Sequence, residues 1–561
     1  MNKAVGKRKI LVGVAWPYVN GTLHIGHLAG YLLPADICAR YHRVIGDEVL
    51  MVSGSDCFGT PITVEADKRG VSPEKIVEEY HTKDLNLFTN ILKLSYNLYT
   101  KTDTPNHIAV TQEIFLKMLA DGYVFIDSTD QYFSPAENRF LPDRYVVGEC
   151  SYCGFKDARS DQCDNCGKLL SQETLKNPRS NLTDGAVEVR KTEHYFVDWA
   201  KLGPFLKEYA GRVSWGWKEW VRKETEGWLN EGLKPRAITR DLDWGVPIPV
   251  DRMSSDKVIE GVEHKRIYVW FDAVIGYLSA SKEWAQLNNK PWEDFWYDKD
   301  GEELKHYYFM GKDNLVFHTL FWPGQLHVYD ETLHLPDVVS INMFLNLDGE
   351  QFSKSRGVIV DVEEIIKNYG NDAVRFYLTL IMPETRDSSF TWSDFEEKVN
   401  GILVDTFSNF VHRVLSIAKS ESVEAFKNVS GSEEVSKMLE NAFTKSSEKL
   451  EKCEFRSYLD EILNLAQYGN KLVNETELWS LKEKDEVKHY ATLFDLLLII
   501  VGLGFLLSPL LPETSEKLLE MFGIKDNNWP ASGFAEAAKK ALLGSKLPST
   551  PEPLFKKIST P

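Results

Sequence analysis

Residues Ile10 to Ala15 (ILVGVA) form a short, unbroken apolar run. A loop containing Pro17, Asn20 and Gly21 follows, then a helical pattern from about His24 to Ile45. Strands that are apolar without alternation are buried on both faces, which is how strands of a parallel sheet read. A second strand pattern, Glu48 to Ser53, ends in Gly54-Ser55-Asp56. Strand, helix and strand in that order open a doubly wound α/β sheet. A helical stretch from Pro73 to about Leu119 continues this unit. Buried-strand patterns return at Arg266 to Phe271 and at His306 to Met310, the latter followed by Gly311-Lys312-Asp313.

Between these halves, from about Tyr123 to Leu233, short β-like pieces, turns and four cysteines read as an insertion. Beyond Asp361 strand signals fade, and from about Ser393 to Phe522 the pattern is helical with mixed charge. A chain of 561 residues is too long for one core and divides into about three or four units. The most apolar run, Leu496 to Leu507, is shorter than the roughly 20 residues that cross a bilayer, and it reads as a buried helix. No signal-peptide stretch follows the basic residues at the start. A soluble, cytoplasmic protein is the expectation. The net charge of −18 excludes a general coat on nucleic acid, but not recognition by a few placed side chains.

Two segments carry chemistry. His24-Ile25-Gly26-His27 opens the first helix directly after the first strand, where helix N–H groups and dipole favour phosphate. His24 and His27 share one face of the opening turn, and Gly26 lets a nucleotide approach the backbone. The alternative is a pair of capping or core histidines. The second segment, Asp348 to Gly357, is a polar, glycine-flanked loop in which Lys354 and Arg356 can place positive charge on a phosphate chain. No P-loop and no G-x-G-x-x-G occurs. Cys150-x2-Cys153 and Cys163-x2-Cys166 offer four thiolates for one tetrahedral Zn2+, with no open position, so a structural metal is the expectation; the alternative is redox pairs. Cys38, Cys57 and Cys453 are isolated packing residues; modification of Cys57, beside Asp56, is expected to inhibit.

Together the two segments resemble the signatures of class I aminoacyl-tRNA synthetases, conventionally HIGH and KMSKS. The first is intact; the second, Gln351-Phe352-Ser353-Lys354-Ser355, lacks the first lysine and the methionine but keeps the second lysine, which that class uses on ATP. Within the class the chain is similar to the methionyl-tRNA synthetases from Ile10 to Ile558. The likeness runs through Ala15 to Gly21, Pro235 to Asp241, Tyr268 to Ala273, Ile275 to Tyr277 and Phe317 to Pro323.

The resemblance implies catalysis by His24, His27 and Lys354, with Gly26 and Arg356 also on ATP·Mg2+. It implies a methionine pocket of Tyr18, Asp56, Trp270, Tyr277, Asp313, Phe317 and His318, in which Asp56 holds the substrate ammonium. Tyr277 and His318 would offer weak polar contacts to sulfur, and Asp313 would support the ligand's amino or ribose groups. Aromatic surfaces suit a polarisable thioether. Arg240 would link the site to the insertion, and Asn409, Arg413 and Trp479 would read the CAU anticodon of tRNA(Met).

The implied fold is an α/β, doubly wound Rossmann-like catalytic domain in two halves, 1–122 and 234–337. These enclose a connective insertion, 123–233, with its zinc knuckle at 150–166. A stem-contact region, 338–392, carries the loop at 351–355. An all-α anticodon-binding domain, 393–535, and an extension, 536–561, complete the chain. The implied activity is ATP-dependent ligation of L-methionine to tRNA(Met). Any correction of homocysteine would fall to the synthetic site, since a large editing domain has no room. A monomer is expected, because the chain stops soon after Ile558 without the dimerising module some relatives carry. The alternatives are another class I synthetase and a non-catalytic tRNA-binding paralogue; the second would be favoured by loss of His24, His27 or Lys354, all of which are present.

Overall fold

The computed structural model describes residues 8–142, 145–160, 163, 166, 170, 172–348, 350–351 and 360–560. Five parallel strands form the central sheet: β1 (Lys9–Val14), β2 (Glu48–Ser55), β3 (Leu98–Lys101), β4 (Leu304–Gly311) and β5 (Val338–Asn342), in the order β5-β4-β1-β2-β3. Every neighbouring pair is parallel. The order reverses between β1 and β4, and ligand crevices of open α/β sheets form at the strand ends beside such a reversal. The first crossover is a continuous helix from Ile25 to Val44, with one wider turn at Leu28–Leu32.

Two expectations are corrected. The stretch from Pro73 to Leu119 is not helical throughout: it contains β3, between the helices Pro73–Asn86 and Pro105–Ala120. The run Arg266 to Phe271 is not a strand of the parallel sheet. Only Lys265–Ile267 is extended, paired antiparallel with Thr239–Asp241 and Val246–Pro247, and Val269–Asp272 is a helical turn. A short apolar run is equally consistent with a buried helix, so its period carries no decision.

The insertion is a long antiparallel ribbon, Val124–Ser134 against Glu188–Val197, which carries a small sheet of Val146–Cys150, Ala158–Arg159 and Leu175–Ser180. That small sheet has its own core, built on Tyr132, Leu141, Tyr145, Val146 and Leu175. Two further helices, Trp199–Val213 and Glu219–Glu231, return to the catalytic domain. Trp199 stacks on Phe321 with ring centres 4.2 Å apart, and the Tyr209 hydroxyl donates to Pro336 O (2.8 Å). Burial of these aromatic side chains, rather than a β pattern, fixes that part of the insertion.

The C-terminal third is helical: Asn409–Ala418, Glu433–Glu451, Phe455–Glu475, Glu486–Leu506, Pro512–Met521 and Phe534–Leu543. The apolar run around Leu496 belongs to the 21-residue helix Glu486–Leu506, long and apolar enough to cross a membrane, yet 89% of its apolar window is buried inside the protein. One buried and one half-buried ionic cluster fasten this domain to the sheet. Arg375 reaches Asp36 (2.7 Å) and the carbonyls of Leu510 and Pro509, while Glu451 accepts from Arg8, Tyr307 and Lys305. The final residues turn back, Leu554 N and Phe555 N donating to Ser408 Oγ.

Candidate active site

A cavity of about 340 Å³ opens at the carboxyl ends of β1, β2, β4 and β5. Its lining includes Tyr18, His24, Gly26, His27, Asp56, Trp270, Tyr277, Asp313 and His318, together with Trp16, Tyr31 and the backbone stretch Met343–Asn346. Residues separated by hundreds of positions therefore meet because four strands end at one edge.

The signature histidines are capping residues and cavity residues at once. Gly26 N donates to His24 Nδ1 (3.2 Å), and His24 N donates to His27 Nδ1 (3.2 Å), a reciprocal cap on the helix start. Both rings thus spend Nδ1 as an acceptor, so in the neutral form the proton sits on Nε2. The rings are tilted by 45° with centres 3.9 Å apart. Two N–H donors are thereby oriented by the backbone itself.

Lys354 and Arg356 lie outside the described residues, as does the rest of the loop from 352 to 359. Its two flanks are described, and both run to this site. Gln351 pairs with Asn346, on the cavity wall. On the far side Val360 O accepts from Ile25 N (3.2 Å), and Asp361 bridges to His24.

Asp56 is 3% exposed, and its carboxyl is raised well above the usual carboxylate range, first by burial and then by the charge of Asp272. Asp272 is itself fully buried and raised by desolvation, with Oδ2 3.4 Å from His107 Nε2. A cation entering beside Asp56 restores its ionised form, since an opposite charge favours the charged state. Burial also lifts Asp313, against the opposing charge of Lys312.

The aromatic wall differs from expectation in two details. Phe317 is not among the lining residues; it stacks on Trp270 (4.5 Å, 24°) and backs it, while Tyr18 meets Trp270 edge-on. Tyr277 and His318 are bonded to each other, with 2.8 Å between the hydroxyl and Nε2. His318 Nδ1 donates to Asn314 O (2.9 Å), and burial pushes the ring down to about 4, so Nε2 accepts the tyrosine proton. Neither group presents a spare proton to a thioether. The pair hardens an apolar surface instead.

Trp16, Asp272, His107 and Lys218 were not legible as site residues. The Trp16 ring lies between Gly54 and Gly276, whose added Cβ atoms would fall 2.2 Å and 2.5 Å from it. Lys218, from the insertion, donates to Asn342 Oδ1 (2.7 Å), and Asn342 Nδ2 donates to Ala29 O in the histidine-bearing helix. Glycines at both positions facing Trp16 were the one signal available. Cys57 is fully buried and burial raises its thiol well above the usual range, which disfavours the reactive thiolate and fits a packing role.

Arg240 bonds its own segment, at Ala237 O and Thr239 O, and lies over the Tyr268 ring (4.1 Å). The link to the insertion is made next door. Asp241 receives Lys265 (2.5 Å) and His194 Nε2 (3.1 Å), and Lys265 also donates to Thr192. Far from the cavity, Asn409 is exposed, Arg413 donates to Asn474 Oδ1 (2.9 Å), and its guanidinium is 5.8 Å from the ring of Trp479, which is 59% exposed.

In the insertion the Sγ atoms of Cys150, Cys153, Cys163 and Cys166 lie within 4.8 Å of one another. The Cys150–Cys166 and Cys153–Cys163 separations are 3.8 Å and 3.6 Å. A tetrahedron with ~2.3 Å metal–sulfur bonds has edges of about 3.8 Å, so the cluster fits one metal ion.

A parallel sheet with a capped histidine pair after its first strand, facing the anchored ends of a lysine-bearing loop, defines a class I aminoacyl-tRNA synthetase. The profile described as "tRNA synthetases class I (M)" matches residues 10–415, and that described as "Anticodon binding domain of methionyl tRNA ligase" matches residues 425–561. A methionine–tRNA ligase of Roseiflexus sp. (strain RS-1) is 43% identical over 522 residues, 92% of this chain and 87% of that protein. One from Thermoplasma volcanium is 40% identical over 518 residues, 92% of this chain and 93% of its own. The solved Mycobacterium tuberculosis methionyl-tRNA synthetase in complex with methionyl-adenylate has a TM-score of 0.75 at 21% identity, covering 98% of this chain and 99% of its own, a likeness of fold. The chain belongs to the methionine–tRNA ligase family.

Proposed function

We propose that the cavity at the strand ends forms methionyl adenylate from L-methionine and ATP·Mg2+ and passes the methionyl group to the 3′ end of tRNA(Met). The observation that carries this reading is the meeting of His24, His27, Asp56 and the Trp270 wall around one cavity. The methionine carboxylate attacks the α-phosphate and pyrophosphate leaves. The Nε2–H groups of His24 and His27, with Lys354 and Arg356, stabilise phosphate charge, so positioning and electrostatics supply the catalysis. Asp56 takes the ammonium, Asp313 supports the amino or ribose groups, and Trp270, Tyr277, His318 and Tyr18 enclose the side chain, with Phe317 behind them. Arg240 sits at the junction with the insertion.

One structural Zn2+ on the four cysteines holds the knuckle, whose core is too small to fold unaided. Asn409, Arg413 and Trp479 read the CAU anticodon, Trp479 by stacking on an unstacked base. The protein works as a cytoplasmic monomer. The test is amino-acid-dependent ATP–pyrophosphate exchange. Methionine alone among methionine, cysteine, leucine, isoleucine and valine is expected to support it, and exchange with any other of these in preference would overturn the reading. Lys354→Ala is expected to depress exchange far more than methionine affinity; equal losses would remove Lys354 from the phosphates.

A further inference from the structure

The helix Phe455–Glu475 has 21 residues, about 31 Å at the helical rise. One end lies at the anticodon patch: Asn474 holds Arg413 (2.9 Å), which lies beside Trp479. It is also keyed to the helix Asn409–Ala418. A Cβ on Gly469 would stand 2.2 Å from the Phe410 ring, so the ring packs directly on the helix backbone at a place only glycine leaves open. Phe455, Tyr458, Leu459, Ile462, Ala466 and Val473 bury its inner face, which holds the helix along its length against its neighbours.

Its other end docks on a different segment. Its own N-cap, Glu454, makes no side-chain cap. Instead Glu384 Oε1 accepts from Phe455 N (2.7 Å) and Arg456 N (3.2 Å), placing a carboxylate at the positive end of the helix dipole. Glu384 belongs to a short turn that backs the cavity wall. Pro383 O accepts from Met343 N (2.8 Å), and Asp387 Oδ1 accepts from Phe344 N (2.9 Å) and from Lys312 (3.1 Å), which neighbours Asp313. Met343, Phe344 and Asp313 all line the cavity. Trp220 of the insertion donates to Glu384 O (3.3 Å), fixing the turn from outside.

We propose that Glu384 is a positioning residue that transmits occupancy of the anticodon patch, through the helix Phe455–Glu475, to the Met343–Phe344 wall of the active site. This rests on the assignment of Arg413 and Trp479 to the anticodon. It predicts that a correct anticodon raises the turnover of charging, not only tRNA affinity, and that Glu384 carries that part of the effect.

The experiment charges tRNA with a CAU anticodon, and the same tRNA with one anticodon base changed, using full-length wild type, Glu384→Ala, Glu384→Gln and Asn474→Ala. The readout is the ratio of kcat between the two tRNAs, beside the ratio of KM. Direct damage to the wall cancels in the ratio, because both tRNAs use one cavity. In Glu384→Ala the kcat ratio is expected to fall about fivefold or more, in the range of ordinary allosteric coupling, while the KM ratio persists. Glu384→Gln, which keeps an oxygen for the two N–H groups, is expected to restore it. Asn474→Ala, at an exposed position, breaks the other end of the path and is expected to lower the kcat ratio even if Glu384→Ala fails to fold. A kcat ratio unchanged in Glu384→Ala or Asn474→Ala, or a loss confined to KM, overturns the proposal alone. A wild type that charges both tRNAs equally overturns the anticodon assignment and this proposal with it.

Discussion

Replacing Gly54 by alanine inserts one methyl group between β2 and the Trp16 ring. The new Cβ would lie 2.2 Å from Trp16 Cζ3 and 2.6 Å from Thr100 O. Thr100 is the register partner of Gly54 across β2 and β3, so that carbonyl moves only if the ladder moves. The ring must yield by about 1.3 Å to reach an ordinary carbon contact of ~3.5 Å, while the contact with the Thr100 carbonyl stays as strain in the ladder. On its other side stands Gly276, already within contact distance, so the ring is driven toward the cavity it lines. Overpacking of this kind costs about 1–3 kcal/mol. The expected result is a lowered urea midpoint together with a several-fold rise in KM for methionine in pyrophosphate exchange, and a smaller change in KM for ATP. The atoms nearest a Cβ on Gly276 all belong to the Trp16 ring, so Gly276→Ala is expected to cost less stability. Unchanged stability and unchanged methionine KM in Gly54→Ala would refute the claim that the two glycines hold Trp16 in place.

Three further outcomes are expected. Asp241→Asn strands the buried Lys265 ammonium, and breaking such a pair costs about 3–5 kcal/mol; denaturant unfolding should show a larger loss than Arg240→Ala, and the reverse order would move the coupling role back to Arg240. His334 is set between Asp298 (2.8 Å) and Asp337 (2.7 Å). Burial opposes its protonation, but the two carboxylates prevail and its pKa is raised. Its stabilisation is therefore complete below the unfolded value of ~6.5 and disappears as pH rises through the folded value. His334→Gln should thus lose stability at pH 6 and converge on wild type at high pH, and a pH-independent difference would exclude the ion pair. Cys150→Ser should release the metal and expose residues 145–180 to protease while methionine-dependent exchange persists; full zinc content by elemental analysis would contradict the four-thiolate site.

The parts of the site legible in sequence are those set by local spacing. The run at Ile10, the turn that follows and the histidines three apart specify strand, loop and helix start, and the two C-x2-C pairs state a ligand set. The capping role and the cavity role of His24 and His27 were posed as alternatives, yet they coincide, because a backbone bond to Nδ1 is what aims Nε2 outward. Where local pattern was ambiguous it misled. Arg266 to Phe271 is apolar enough for a strand, but its neighbours pair it antiparallel and then coil it. Phe317 stacks on Trp270 and is not among the lining residues, a placement that spacing along the chain does not show. Arg240 stands one residue from Asp241, which makes the link.

The order of amino acids determined, unaided, the α/β class of the first part and the helical texture of the C-terminal third, since periodicity acts over a few residues; the family followed from the likeness of motifs such as His24-Ile25-Gly26-His27 to a known class. Only the tertiary structure decided which side chains share the cavity, that Tyr277 and His318 are hydrogen-bonded to each other, and what Lys218, Asp272 and Glu384 touch. Those facts depend on which faces pack against one another across hundreds of residues, and close packing, unlike spacing along the chain, is a property of the assembled whole.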